Sequence, residues 1–238
     1  MPLEDRHTAE NIANWVEKAA EKFEISMANV IVVVHDNAAN VVAALRILEE
    51  KHGISSLRCA GHTLQLVVNH ALRDPQISKT LRAAKWNSTL HMIRRLLEQR
   101  WPVTATLSDP DVTPRGKRFL DLKHDQWSLL EEVEQVLRPF ECATVFLSGE
   151  SYVTASALPP LVKGLQKSIQ STIFETAAVK AFQSVAAQEM TSRWERETKF
   201  RDDGENICLV AAALAPRTKI PASRGQFKSS PQGSSSCS

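Results

Sequence analysis

Apolar residues recur at spacings of three and four along residues 8–23. Ile12, Trp15, Val16, Ala19, Ala20 and Phe23 share one face, which predicts an amphipathic helix. Thr8 is placed to cap it, although the residue three places on is Asn11 rather than the Glu or Gln of a capping box. The period then changes. Val30 to Val34 are five successive β-branched residues without alternation, the pattern of a strand buried on both faces. The run ends at Asp36-Asn37. Asn37 is the expected N-cap of a helix over residues 38–51 with Val41, Val42, Leu45 and Leu48 inward, and Gly53 is the expected stop. A short strand over residues 56–59 and a helix over 61–72, with Leu64, Val67, Val68 and Ala71 on one side, follow. Two strands make a poor sheet alone, so this α/β part reads as incomplete.

From residue 75 to 200 the period is helical throughout. Asn87 or Ser88 is expected to cap a helix carrying Leu90, Ile93, Leu97 and Trp101. Asp125 is expected to cap another with Trp127, Leu130, Val133, Leu137 and Phe140, and Pro139 inside it is expected to kink it, because its ring removes one hydrogen bond and clashes with the preceding turn. Thr154 is the expected start of a third, carrying Leu158, Leu161, Leu165 and Ile169. A last long helix is expected over residues 174–194. After Pro216 the chain is rich in Ser, Pro and Lys and has little to bury, so it is expected to be disordered. The resulting division is a small α/β part over residues 1–74, an all-α block over 75–214 and a tail over 215–238. The fold class is mostly α with a small α/β part.

Charge changes this picture locally. The 238 residues carry 29 basic and 27 acidic side chains, so a global basic field is excluded and any polyanion site must be local. Residues 1–50 hold four basic and nine acidic side chains, whereas residues 79–118 hold nine basic and three acidic. That middle block reads either as a phosphate-contacting surface or as a solvated helical face. With 8 Gly and one Tyr, a many-turned β-sandwich is disfavoured. Cys59, Cys142, Cys208 and Cys237 are far apart and form no CxxC pair, which suits a reducing compartment rather than a disulfide framework. Cys142 and Cys208 are expected to be small core side chains. No apolar run approaches a membrane span, and the polar, acidic start does not read as a secretion signal.

Three places have candidate chemistry. Asp36 ends a strand and precedes a helix, where an open α/β sheet places ligands, and one reading is a divalent-cation ligand. The other is a helix cap, and a single carboxylate is too few for a two-metal site. Cys59-Ala60-Gly61-His62 is a C-x-x-H without the second pair that tetrahedral zinc needs. His62 reads either as a phosphate or water contact or as a packed residue at a helix start. Lys85-Trp86-Asn87-Ser88-Thr89 places an aromatic among cationic and hydroxyl groups, a pattern for stacking on an extruded base, and also the pattern of a Trp packed at a helix start. No GxSxG, Walker or GxGxxG motif occurs.

Four stretches, HDNAANVVAAL, RCAGHTLQLVVNHAL, KWNSTLHMIRRLLEQRW and FLSGESYVTASALPPLVKGL, together resemble the hAT transposase superfamily, with the zinc finger BED-domain-containing proteins as the nearest likeness. The resemblance covers about residues 5–200 and keeps the motif order. It implies a truncated RNase H-like α/β core followed by an all-α insertion domain. By that resemblance Asp36 matches the second of three catalytic acids, and His62 of the C-x-x-H lies near the scissile phosphate. Lys85-Trp86 matches an Arg-Trp motif whose Trp stabilises flanking DNA, with the bidentate fork lost in the Arg-to-Lys change. The first acid would precede this chain and the third, a Glu, would follow it. No BED finger is present, a helical stretch between Leu81 and Lys85 is shorter than in relatives, and Ala215-Pro216-Arg217-Thr218-Lys219 resembles the family's Asp-Pro-Arg-Phe-Lys with Asp and Phe lost.

The expectation is therefore a fragment of a transposase-derived nuclear protein with a transcription-regulator-like role. It would cleave nothing, with Asp36 and His62 vestigial and no cofactor beyond a vestigial Mg²⁺ site. Its partner would be DNA, held weakly and without sequence preference by Lys85, Trp86, Arg94 and Arg95. Homo-oligomerisation is expected only of a longer parent protein, and membrane association is not expected. The alternatives are a helical protein-interaction scaffold without DNA contact and, least favoured, an active hAT transposase.

Overall fold

A computed structural model describes residues 6–81, 86–114, 122–149, 155–199 and 206–215. Within them the chain is mostly helical, with one two-stranded parallel sheet. Helix α1 (Ala9–Lys22) begins where Thr8 Oγ1 accepts the Asn11 N–H at 3.3 Å, as its capping position anticipates. Strand β1 (Val32–His35), helix α2 (Ala39–His52) and strand β2 (Ser55–Arg58) form a β-α-β unit. Val32 pairs with Ser55 and His35 with Arg58 in parallel register. Gly53 ends α2 in the left-handed conformation at φ 69°, as its position predicts.

Two details of this unit differ from the sequence expectation. The valine run is not buried on both faces: Ile31 is 70% and Val34 59% exposed, while Val33 packs toward Ala13, Ala44, Leu45 and Leu48 of α1 and α2. Helix α2 covers the face that carries Val33, and the described residues add no strand beyond β1. Asn37 is not the N-cap. It sits in the left-handed region at φ 69°, which Asn tolerates better than most residues, and Ala38 takes the cap position.

Helix α3 (Ala60–Ala71) carries the chain into the larger core. Leu64, Val67, Val68 and Ala71 pack with residues of the later helices, chiefly on α7 (His124–Leu147) and α9 (Ala177–Arg193). Between them come α4 (Pro75–Leu81), α5 (Trp86–Glu98) and α6 (Arg100–Ser108). Helix α8 (Leu158–Ser171) lies against α7 and α9, and the short α10 (Glu195–Thr198) and α11 (Ile207–Leu214) close the bundle. The core holds Leu90, Ile93, Trp127, Leu137, Phe140, Phe182 and Trp194, with Phe140 edge-on to Phe182 at 6.0 Å. The long helix α7 continues through Pro139.

Several local expectations give way here. Helix α5 is already formed at Trp86, ahead of Asn87 and Ser88, and it ends at Glu98. The break before α6 takes Trp101 off the Leu90–Ile93–Leu97 stripe and leaves it 81% exposed. Lys123, not Asp125, holds the N-cap position of α7, and Gln126 Oε1 accepts the Lys123 N–H at 2.9 Å. Cys208 is buried as expected, and burial beside Glu197 pushes its thiol up to about 11, but Cys142 is exposed. Burial of that kind makes a thiol unreactive. The predicted start at Thr154, the cation Lys85 and the expected disordered tail beyond 215 lie outside the described residues. No helix among the described residues is long and apolar enough to cross a membrane.

Candidate functional site

The parallel register brings the ends of β1 and β2 side by side. The Cys59 N–H donates to the His35 carbonyl at 2.6 Å, so Asp36 and Cys59 leave the sheet at the same edge. Cys59 caps α3, and His62 stands in that helix's first turn, half-buried. Thus Asp36 and the C-x-x-H, separated by a whole helix in sequence, meet at one carboxyl edge of the sheet. That edge is where open α/β sheets bind ligands.

The turn there is closed by local bonds. Asp36 is exposed, and its Oδ1 accepts the Ala38 N–H at 3.1 Å. His35 is buried, and its Nδ1 accepts the Asn37 N–H at 3.0 Å, so Nδ1 carries no proton in this arrangement. Burial holds the His35 imidazole below its ordinary range, and the Arg58 charge across the strand pair works the same way, while Asp36 opposes both. The donor set does not suit a divalent cation. Asp36 offers one carboxylate, already engaged as a turn acceptor, and no group of three or more His, Cys, Asp or Glu among the described residues could hold a metal.

The second predicted site is the basic block. Trp86 is the first residue of α5, and Arg94 and Arg95 lie two turns on. Arg94 faces α7. Its Nη2 lies 2.8 Å from Glu141 and 3.2 Å from Glu134, and its Nε reaches Glu134 at 3.2 Å. Glu141 holds the guanidinium firmly protonated; burial works the other way, and Glu134 adds to the hold. Arg100 binds Glu131 at 2.7 Å and lies 5.2 Å from the Trp127 ring centroid. Arg95 points outward, 72% exposed, with Glu98 at 2.7 Å. Much of the positive charge of α5 and α6 is therefore met by the acidic face of α7. This network is missing from the sequence reading, although one signal was available: Glu134 and Glu141 are seven residues apart, two turns along a single helix face.

Comparison with known proteins adds one likeness. No family model matches the chain. Zinc finger BED domain-containing protein 4 of Homo sapiens is 22% identical over 177 residues, covering 58% of this chain. The match spans 14% of that protein's length. The similarity is distant, and it links the chain to BED zinc finger proteins at the level of a relationship, not of an activity.

Proposed function

We propose that this chain is a transposase-derived DNA-binding module, a part of an RNase H-like core with its helical insertion, that no longer cleaves DNA. The observation that supports it is the joining of Asp36 and the Cys59-x-x-His62 motif at one carboxyl edge of a parallel β-α-β unit, followed by an all-α block, in the motif order of hAT transposases. The distant likeness to a BED zinc finger protein agrees with a nuclear, transcription-regulator-like role. Asp36 and His62 are remnants of the catalytic edge. Lys85, Trp86 and Arg95 contact DNA, the cations on phosphate and the indole on an unstacked base, while Arg94 holds α5 on α7. Phosphate contacts of this kind give affinity without sequence preference.

The test is duplex binding by the whole chain across a salt series. With the two phosphate contacts of Lys85 and Arg95, affinity should fall about tenfold between roughly 50 and 200 mM salt. Salt-independent binding, or none at the low end, would overturn the reading. The ion pairs that occupy Arg94 and Arg100 favour the alternative, a helical scaffold that binds proteins and not DNA. That alternative is what the negative outcome would leave.

A further inference from the structure

Helix α1 buries Ala13 and Ala20 and packs on α2, but its apolar stripe is wider than α2 can cover. Trp15, Ala19 and Phe23, with the outer flanks of Ile12 and Val16, which also pack on the α1–α2 core, line an open groove of about 410 Å³, and Phe23 is 69% exposed. The groove follows the helix for eleven residue steps, about 16 Å, or three helical turns. Its outer rim is basic. Lys18 and Lys22 line it, and the Lys22 ammonium lies 5.8 Å from the Phe23 ring centroid. The glutamates of α1 belong to another arc, where Glu17 is held by Lys51 at 2.7 Å and His52 at 2.6 Å.

We infer that this groove docks an amphipathic helix from another protein, one that presents an apolar stripe flanked by acidic residues. The apolar floor fits the i, i+3, i+4, i+7 anchors of a helix laid in a groove. The lysine rim sets the sign of the flank. It also argues against a second copy of this chain as the occupant. A two-fold antiparallel pairing of α1 with itself sets each flank against the same flank of its mate, so Lys18 and Lys22 would face the mate's lysines.

The experiment uses the full chain and two labelled helical peptides of about fourteen residues, with identical leucine stripes and flanks of Glu in one and Lys in the other. Fluorescence anisotropy at low salt should give about tenfold tighter binding of the Glu peptide. Lys18→Glu with Lys22→Glu should reverse that preference. Phe23→Glu, at an exposed site that leaves the thermal melt unchanged, should weaken the Glu peptide about tenfold. Equal affinities, a preference that survives the charge reversal, or no binding of either peptide would overturn the inference. So would a dimer in sedimentation that Phe23→Glu dissolves, because a second copy would then be the occupant.

Discussion

Arg94 reaches Glu134 through both Nε and Nη2 at 3.2 Å, and the Glu134 side chain is only 7% exposed. A carboxylate that deep needs its donors. Arg138 supplies another at 2.7 Å from the same helix, whereas Arg94 ties α7 to α5 through this residue. The pair converts a basic helix into an internal strut, so the net charge of residues 79–118 overstates the field they present to solvent.

Arg94→Ala should therefore cost stability. Removing one partner leaves a buried charge short of a hydrogen bond, and the partial exposure of Arg94 reduces the loss to about 1–2 kcal/mol. Arg95→Ala, at an exposed i,i+3 pair, should stay within about 0.5 kcal/mol. Urea unfolding at neutral pH measures both. Equal costs would show that the Arg94 network is worth no more than a surface pair. The same contrast makes Arg95→Glu the clean probe of DNA contact, since Arg94→Glu would confound binding with unfolding.

Acid should loosen the helical block through Glu132. Its carboxylate accepts the Glu175 and Thr176 backbone N–H groups at 2.8 and 3.0 Å and the Thr176 hydroxyl, and so caps the start of α9. Burial works to raise its pKa, but these bonds together with Lys180 outweigh it and the net shift is downward. A carboxylate whose folded value lies below its unfolded one contributes stability that is complete above the unfolded value, about 4.3, and is lost as pH falls through the folded one. His35 adds an earlier step. Its folded value is also depressed, so its contribution is complete above about 6.5 and begins to fall below it. Stability should be flat from about pH 7 to 8, decline gently below about 6.5 and steeply below about 4.5, and fall again in alkali, where the thiol of Cys208 ionises in the unfolded chain before it does in the buried site. Glu132→Gln should cost about 1 kcal/mol at pH 7 and flatten the acid limb. An unchanged acid limb would remove Glu132 as its source.

Local periodicity explains why α1, α2, α3 and α7 to α9 were legible in the chain: each carries a stripe at helical spacing, and Thr8 by its hydroxyl and Gly53 by its backbone freedom mark ends through local chemistry that needs no distant partner. What was not legible depends on neighbours distant in sequence. Val34 has the same composition context as Val33, and only the arrangement of α2 and β2 decides which of them is covered. Trp101 shares the spacing of Leu97 but lies beyond a helix break at Gln99, which Pro102 in the first turn of α6 marks and the apolar stripe by itself hides. The candidate site behaves alike. Asp36 stood out by its place after a valine run, yet its meeting with Cys59 needs the parallel register, and the engagement of Arg94 needs α7, some 40 residues away.

No DNA strand cleavage is expected. In-line phosphoryl displacement by two cations calls for several converging carboxylates, and Asp36 contributes one that already accepts the Ala38 N–H. Incubation with hairpin and linear duplexes in Mg²⁺ or Mn²⁺ should leave them intact. Nicking that Asp36→Ala abolishes would restore the enzymatic reading, whereas nicking that survives the substitution would come from a contaminant. Asp36→Ala should itself cost about 1 kcal/mol through the lost turn bond.

The open side of the sheet is a site where chains can associate. Val34 is 59% exposed on a strand with no neighbour beyond it among the described residues, and Ile31 just before it is 70% exposed. A short apolar edge of this kind is a template for pairing with other chains. Val34→Lys should leave monomer stability within about 0.5 kcal/mol, because little buried area is lost, and should reduce concentration-dependent light scattering. Val33→Ala, one residue earlier but packed toward Ala44, Leu45 and Leu48, should cost about 1 kcal/mol or more and increase the scattering by populating opened forms. The two neighbours thus separate the contributions of edge and core. If Val34→Lys destabilises the chain as much as Val33→Ala does, the outer face of β1 is covered in solution and the edge is not the site of association.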